Sequence, residues 1–274
     1  MHIEDNNIET ITNEIQMLYA RLLFKHRIEL DDKLITEQLS KEFKNFRCTD
    51  DIKDNTTRHF FFDDYTVKFP EGIISAQCTL FIPDSKDYIN KNLNEAYRQI
   101  WHWPEGEDET KDCEFEIVLT DLMTRTLDYK VRVELFQKYV SSIAKALNPI
   151  ALYFPSSKKL VETTKYLNLA QNTNDDFLYG LLNIRLFTVE NNGMLMDSLG
   201  LNTLGLPDFQ IYFSQYEPGQ IFEILRNYAY YIFENGSVIE DGNTVEGIES
   251  GSIWECKYNE AYIEPKRFVI EIKE

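Results

Sequence analysis

Several things are scarce in this chain, and each absence excludes something. No apolar run approaches the roughly 20 residues a helix needs to cross a bilayer; the best, Ile150 to Phe154, is a fragment of that length. Four cysteines, Cys48, Cys78, Cys113 and Cys256, lie far apart with no C-x-x-C spacing. They read as separate thiols that pack as small hydrophobes, not as a disulfide framework or a zinc cluster. Histidine is as rare, at His2, His26, His59 and His102, and with no G-x-S-x-G motif a nucleophile–histidine relay has little to draw on. Met1 to Thr10 are acidic and polar, without the basic start and apolar core of a secretion signal, so the expected compartment is the cytoplasm.

Basic residues are also in short supply. Lys and Arg number 28 against 46 Asp and Glu, a net charge of −18. Affinity for a phosphate backbone comes from Lys and Arg releasing counterions, so nucleic acid and anionic membranes are disfavoured partners. Half of that charge sits in the last stretch: Asp197 to Glu274 hold 14 acidic and 5 basic side chains, a balance of −9. A charged partner, if there is one, is expected to be a basic protein.

What is present is ordinary globular material, 43% hydrophobic and 27% charged over 274 residues, enough for a sizeable core. Apolar spacing predicts helices over Ile11–Phe24 and Asp32–Phe46, the second capped by Asp31 or Asp32. Alternation predicts strands in His59–Phe69 and Ala76–Ile82 around a Pro70-Glu71-Gly72 turn. Further helices are expected at Tyr88–Trp101, Leu127–Leu147, Lys158–Ala170 and from Pro218 to Asn235-Gly236. Strands are expected around Phe115–Leu119, Ile150–Phe154, Leu182–Val189 before an Asn191-Asn192-Gly193 turn, Phe209–Phe213, Trp254–Tyr258 and Phe268–Ile272. Without a regular βαβ rhythm this reads as α+β, a largely antiparallel sheet with helices packed on it. The order strand, strand, helix recurs, which leaves two similar α+β halves open. Residues 1–48 are read as N-terminal helices packing on a body of residues 49–274. Pro155-Ser156-Ser157 is the candidate boundary between halves 49–154 and 155–274, which form one structural unit.

The most unusual stretch runs from Met196 to Asp208. Gly200 and Gly205 invite a phosphate-loop reading, but no Lys follows Gly205, and Leu206-Pro207 cannot supply a donor-rich helix start. The alternatives are a tight loop in which the glycines adopt positive φ, or a site in which Asp197 and Asp208 are brought together. Asp241, Asn243 and Glu246 supply oxygen donors that suit either a turn or a hard cation, in a spacing that fits no EF-hand. His102 stands between Trp101 and Trp103, ahead of Glu105, Glu107, Asp108 and Cys113, without a second His nearby to make a zinc site.

These residues resemble a bacterial domain of unknown function, number 4261. The resemblance rests on Asp197, Gly200-Leu201, Leu204-Gly205-Leu206-Pro207-Asp208, Tyr231, Asp241-Gly242-Asn243-Thr244, Trp254 and Pro265, with Trp101-His102-Trp103, Leu135-Phe136 and Ala151–Val161 upstream. The chain departs from that pattern at Ser198, where Thr is usual, and at Asn243, where Asp is usual. The resemblance implies no activity, substrate or cofactor, and neither a metal nor a cofactor is expected.

Tyrosines crowd the same region: Tyr212, Tyr216, Tyr228, Tyr230, Tyr231, Tyr258 and Tyr262. On a helix Tyr230 points about 200° away from Tyr228, so one of them lies outside the buried stripe. Two functional expectations follow. The first is a non-enzymatic interaction module, immunity-like or regulatory, whose acidic, Tyr-rich surface docks a basic protein; its binding candidates are Asp197, Gly200, Gly205, Asp208, Tyr230, Asp241, Asn243 and Trp254. The second is a hydrolase-like enzyme that uses Asp197, Asp208 and Asp241 on a small polar substrate.

Overall fold

A computed structural model describes residues 13–50, 56–70, 72–84, 88–169, 176–189 and 193–273. They divide into two compact units: residues 17–183, and residues 13–16 together with 184–273. Both are α+β. The division falls between Asn183 and Ile184, not at Pro155-Ser156-Ser157, which is the turn of a hairpin inside the first unit.

The first unit is built on a seven-stranded antiparallel sheet. Its strands are β1 (Tyr19–Phe24), β2 (Phe46–Asp50), β3 (Thr57–Phe69), β4 (Gly72–Phe81), β5 (Phe115–Met123), β6 (Ala151–Phe154) and β7 (Lys159–Glu162), in the order β2-β3-β4-β5-β1-β6-β7. Helices α1 (Asp32–Glu42), α4 (Tyr129–Leu147) and α5 (Thr163–Leu169) pack on one another or on the sheet, and α2 (Tyr88–Tyr97) and α3 (Gly106–Thr110) lie against β7. Side chains alternate across a strand, so the two faces are distinct. Tyr139 of α4 meets Phe60 and Phe62 of β3 at centroid distances of 5.7 and 6.0 Å. Leu93, Ala96, Ile100 and Trp103 pack with Leu23, Ala151, Tyr153 and Leu160. The helix ends follow local chemistry: Asp31 accepts from the Leu34 amide, Asp128 accepts from Lys130 and Val131, and Asn148 closes α4 in the left-handed region.

Two sequence expectations are corrected here. Tyr19–Phe24 is a strand and not the end of a helix; positions 11 and 12, where that helix was expected to start, lie outside the described residues. Leu18, Leu22 and Leu23 fit a helical spacing, but β1 lies between β5 and β6 with both faces covered, and such a strand is apolar without alternation. Of the two N-terminal helices expected, the second is α1, and Tyr19–Phe24 of the first is sheet. Likewise Lys159–Glu162 pairs with β6, so the helix expected from Lys158 starts only at Thr163. Ala170, Glu71 of the expected turn and Asn191-Asn192 lie outside the described residues.

The second unit holds a six-stranded sheet of β8 (Asn183–Thr188), β9 (Met194–Leu199), β10 (Asp208–Phe213), β11 (Thr244–Glu246), β12 (Ile253–Glu260) and β13 (Phe268–Lys273), in the order β11-β12-β13-β10-β9-β8. Helix α6 (Pro218–Asn235) packs on β9 and β10. β10 and β13 run parallel, whereas β4 and β5 of the first sheet are antiparallel. The two sheets therefore differ in strand order and direction.

A buried charge fixes where β1 begins. Asp121 accepts from the Leu18 amide at 2.6 Å, from Thr124 Oγ1 at 2.5 Å and from Arg132 Nε at 2.6 Å, and both charged side chains are buried. Removing one partner strands the other charge. Asp121→Ala is expected to cost about 3–5 kcal/mol in a urea titration; a loss under about 1 kcal/mol would contradict the pairing.

Candidate functional site

Asp197 and Asp208 do come together, through two arginines. Asp197 ends up deep in β9 because Met194–Leu199 is a strand paired with β10, which places it opposite Gln210. Its carboxylate takes Arg185 Nε on Oδ1 at 2.8 Å and both Arg185 Nη2 and Arg267 Nη2 on Oδ2. Asp208 opens β10. It accepts from Arg267 Nε at 3.1 Å, Ser198 Oγ at 3.1 Å and the amides of Gly200, Leu201 and Asn202 at 3.2–3.4 Å.

Arg267 uses its whole guanidinium. Nε donates to Asp208, Nη2 to Asp197 and the Ser198 carbonyl, and Nη1 to the carbonyls of Ile263 and Pro265. Each of its N–H donors thereby has an acceptor. Arg185 adds a bond to the Glu264 carbonyl at 3.0 Å. All four charged side chains are buried, and two cations balance two anions. Burial raises the Asp208 carboxyl's pKa, and Arg267 pulls it back.

The loop between the two aspartates is a cap around Asp208. Gly200 and Gly205 have φ of 139° and 81°, as a tight turn requires, and Leu201–Leu204 form one 3-10 turn between them. Residues 13–16 close over it: Asn13 Nδ2 donates to the carbonyls of Leu206 and Phe268, and the Gln16 amide donates to the Thr203 carbonyl. Gly205 lies under Ile15. Every oxygen of Asp197 and Asp208 already accepts from protein, so the pair is a structural tie and offers no reactive carboxylate.

The other candidates separate from this cluster. Asp241 is exposed and accepts from the Tyr258 amide at 2.7 Å, and Asn243 Oδ1 accepts from the Glu240 amide at 3.0 Å. Both shape the turn at Gly242, whose φ is 78°. The trio Asp197, Asp208 and Asp241 is therefore not assembled. Trp254 is buried beside Tyr216, and its indole lies so close to Gly247 that a Cβ there would approach it to 2.8 Å. Tyr230 is half-buried with Arg226 over its ring; the well-exposed tyrosine of α6 is Tyr231. Tyr228 turns inward against Phe209 and donates its hydroxyl to the Glu246 carbonyl.

His102 is a packed histidine. Its Nε2–H donates to the Leu160 carbonyl at 3.0 Å, and its ring meets Tyr179 edge-on. Among the described residues, no group of three His, Cys, Asp or Glu is placed to hold a metal ion.

Sequence reasoning misses a groove in the second unit. Gly219, Glu223, Ile224, Tyr228, Glu246 and Ile248 line a depression of about 610 Å³ between α6 and the turn after β11. The Trp254–Gly247 contact and the Tyr228–Glu246 bond hold that turn in place. Pro218-Gly219 and the periodicity of Ile221 and Leu225 reveal the helix, but nothing local in sequence says that residues 246–248 return to it.

Glu223 and Glu246 line the groove, and the same unit exposes further acids. Glu240, Asp241, Glu246 and Glu249 are exposed and form no ion pair among the described residues. The unit's cations outside the buried network are taken: Arg226 by Glu223, Lys257 by Glu255, Lys266 by Glu260 and Lys273 by Glu271.

The fold and this site define an α+β protein whose C-terminal unit is tied by a buried Arg–Asp network beneath an acidic surface. That unit contains the part of the chain that matches a family model. Residues 197–273 match the family model described as Domain of unknown function (DUF4261). The upstream residues of the resemblance, such as Trp101-His102-Trp103, lie outside the match. No curated protein and no solved structure matches the chain.

Three outcomes test these assignments. Arg267→Met leaves two buried aspartates with one cation and is expected to cost about 3–5 kcal/mol or to prevent folding; Asp241→Asn, which keeps the accepting oxygen in an exposed turn, is expected to change stability by less than about 0.5 kcal/mol. Burial first, then Lys159, lower the His102 pKa from 6.5 to about 4. The unfolded chain then takes up a proton between those values that the folded chain refuses, so stability falls as pH drops through that window. Between about pH 7 and 5 the wild type is expected to lose about 2 kcal/mol more than His102→Gln in urea titrations; equal losses would contradict the assignment.

Proposed function

We propose that the protein is a non-enzymatic interaction module whose C-terminal unit docks a basic segment of another protein in the groove between α6 and residues 246–248. The observation that carries this reading is the coincidence of shape and charge: a groove with Ile224 and Ile248 in its lining, bordered by Glu223 and Glu246, in a unit whose exposed acids outnumber its exposed cations. Isoleucines supply apolar contact, and the carboxylates supply steering and register, Glu246 without an ion-pair partner among the described residues and Glu223 beside Arg226. Tyr231, Tyr258 and Tyr262 are exposed on the same unit and extend the surface with side chains that favour interfaces.

The occupant that fits is a short stretch with Lys or Arg flanking one or two aliphatic residues. An immunity-type or regulatory role is compatible with such a partner. The setting proposed is the cytoplasm: all four cysteines are free thiols, as a reducing compartment keeps them, and no helix among the described residues is long and apolar enough to cross a membrane. The saturated bonding of Asp197 and Asp208 supports binding over hydrolysis, since it leaves neither carboxylate positioned to move a proton.

Fluorescence anisotropy with a labelled Lys- and Leu-rich peptide tests this. Affinity is expected to fall at least about tenfold between about 50 and 500 mM salt, and about tenfold again in the doubly reversed variant Glu223→Lys, Glu246→Lys. Binding that ignores both salt and charge reversal would contradict the proposal.

A further inference from the structure

The sheet of the second unit ends at β11, which pairs with β12 alone. In an antiparallel ladder only every second residue bonds to the neighbouring strand. The Gly247 amide donates to the Ser252 carbonyl and the Cys256 amide to the Asn243 carbonyl, so positions 243, 245 and 247 face β12. Thr244 and Glu246 therefore turn their backbone N–H and C=O groups outward. Of these outward groups, only the Glu246 carbonyl meets a partner among the described residues, the Tyr228 hydroxyl of α6. The open side of β11 is thus the side that α6 faces across the groove.

An unpaired edge is a template for another strand, and proteins guard such edges with proline, with inward-pointing charge or with a covering segment. Asn243 to Gly247 contain no proline, and the Glu246 side chain is exposed instead of turned inward. The helix that could cover the edge stands off by the width of the groove. β11 is only three residues long, so an added strand gains few backbone bonds and needs side-chain contacts as well.

The two faces of β11 set the pattern of those contacts. Val245 stands opposite Trp254, Tyr258 opposite Ile270, and Ile270 opposite Phe209. Side chains alternate along each strand, so these residues share one face, and it is the face that Phe209 packs on Tyr228 of α6. Thr244 and Glu246 turn to the other face and are exposed. A strand laid against β11 alternates in step with it. A residue beside Val245 points toward α6, where Ile224 lines the groove, and a residue beside Glu246 lies next to its carboxylate. The matching sequence alternates aliphatic and basic residues. A second copy of this chain is a poor occupant, because its own β11 would bring Glu240, Asp241, Glu246 and Glu249 against the same exposed acids.

We propose that the basic segment docks by strand addition: it lies extended in the groove, pairs its backbone with Thr244 and Glu246 on the free edge of β11, and turns basic and aliphatic side chains alternately to Glu246 and to Ile224. This inference rests on the docking reading above and adds to it the conformation and the sequence pattern of the partner. A helical partner would instead place its contacts three and four residues apart.

Fluorescence anisotropy of the full chain with three labelled heptapeptides of alternating Lys and Leu tests the assignment: one with free amides, one N-methylated at its Lys residues and one at its Leu residues. Only every second amide of an added strand faces the edge. One methylated peptide is therefore expected to bind within about threefold of the parent, and the other at least about tenfold more weakly. Equal effects of the two methylation patterns, whether none or large, would overturn strand addition while leaving docking in the groove intact; a parent peptide that does not bind would overturn both. Thr244→Pro removes an outward N–H that the ladder to β12 does not use, and proline is tolerated at such an edge position. This variant is expected to weaken the parent peptide at least about fivefold, and one that binds it unchanged would overturn the assignment to β11.

Discussion

Arg267 is the constraint on which the C-terminal unit depends. It stands one residue before β13, and its guanidinium reaches Asp197 in β9, Asp208 at the start of β10 and the carbonyls of Ser198, Ile263 and Pro265. Two strands and the loop before β13 therefore meet at one buried cation. The parallel pairing of β10 with β13, which begins with Asp208 opposite Val269, is set beside it. A buried charge is tolerated only when fully paired, so this network discriminates sharply against any other register, and the 200–207 loop curls around Asp208 to complete it.

The same network sorts the acids of this unit by role. Asp197 and Asp208 are inside and neutralised, while the 240s turn carries its carboxylates outside without counter-ions. An acidic surface with an apolar groove then follows from folding itself: cations that could have balanced the exterior, Arg185 and Arg267, are committed to the interior. In the N-terminal unit Asp121 and Arg132 play the comparable structural part. Arg21 and Glu116 form a second buried pair there, beside a cleft.

Much of the fold is legible in the sequence, and the rest is hidden for identifiable reasons. Alternation at His59–Phe69 and the wide stripe of Leu135, Phe136, Tyr139, Val140 and Ile143 reveal β3 and α4 because each element has one dry face. The Asp31 cap and the Asn235-Gly236 stop are visible as local chemistry. β1 passes for a helix because a central strand loses the alternation that identifies strands, and β9 escapes notice because Asp197 and Ser198 look like loop residues until their buried partners are known. The resemblance carried by Gly200, Gly205 and Asp208 points to the right region but leaves the use of its aspartates open. Arg185 and Arg267, remote in sequence from the loop, decide that use, and long-range pairing of this kind leaves no local periodicity. The cleft over Arg21 is invisible for the same reason, since Phe81, Val118, Arg21 and Tyr153 of its lining come from four different strands.

Amide hydrogen exchange at Leu201 and Asn202 tests the central claim most directly, because both amides bond to the Asp208 carboxylate. If that carboxylate is a locked structural tie, these loop amides exchange only through unfolding of the whole unit, with protection equal to that of the β10 amides and falling in step with them as denaturant is added. Exchange at the rate of an exposed loop such as Asp241–Asn243, insensitive to denaturant, would show a mobile segment with an available carboxylate and would contradict the account.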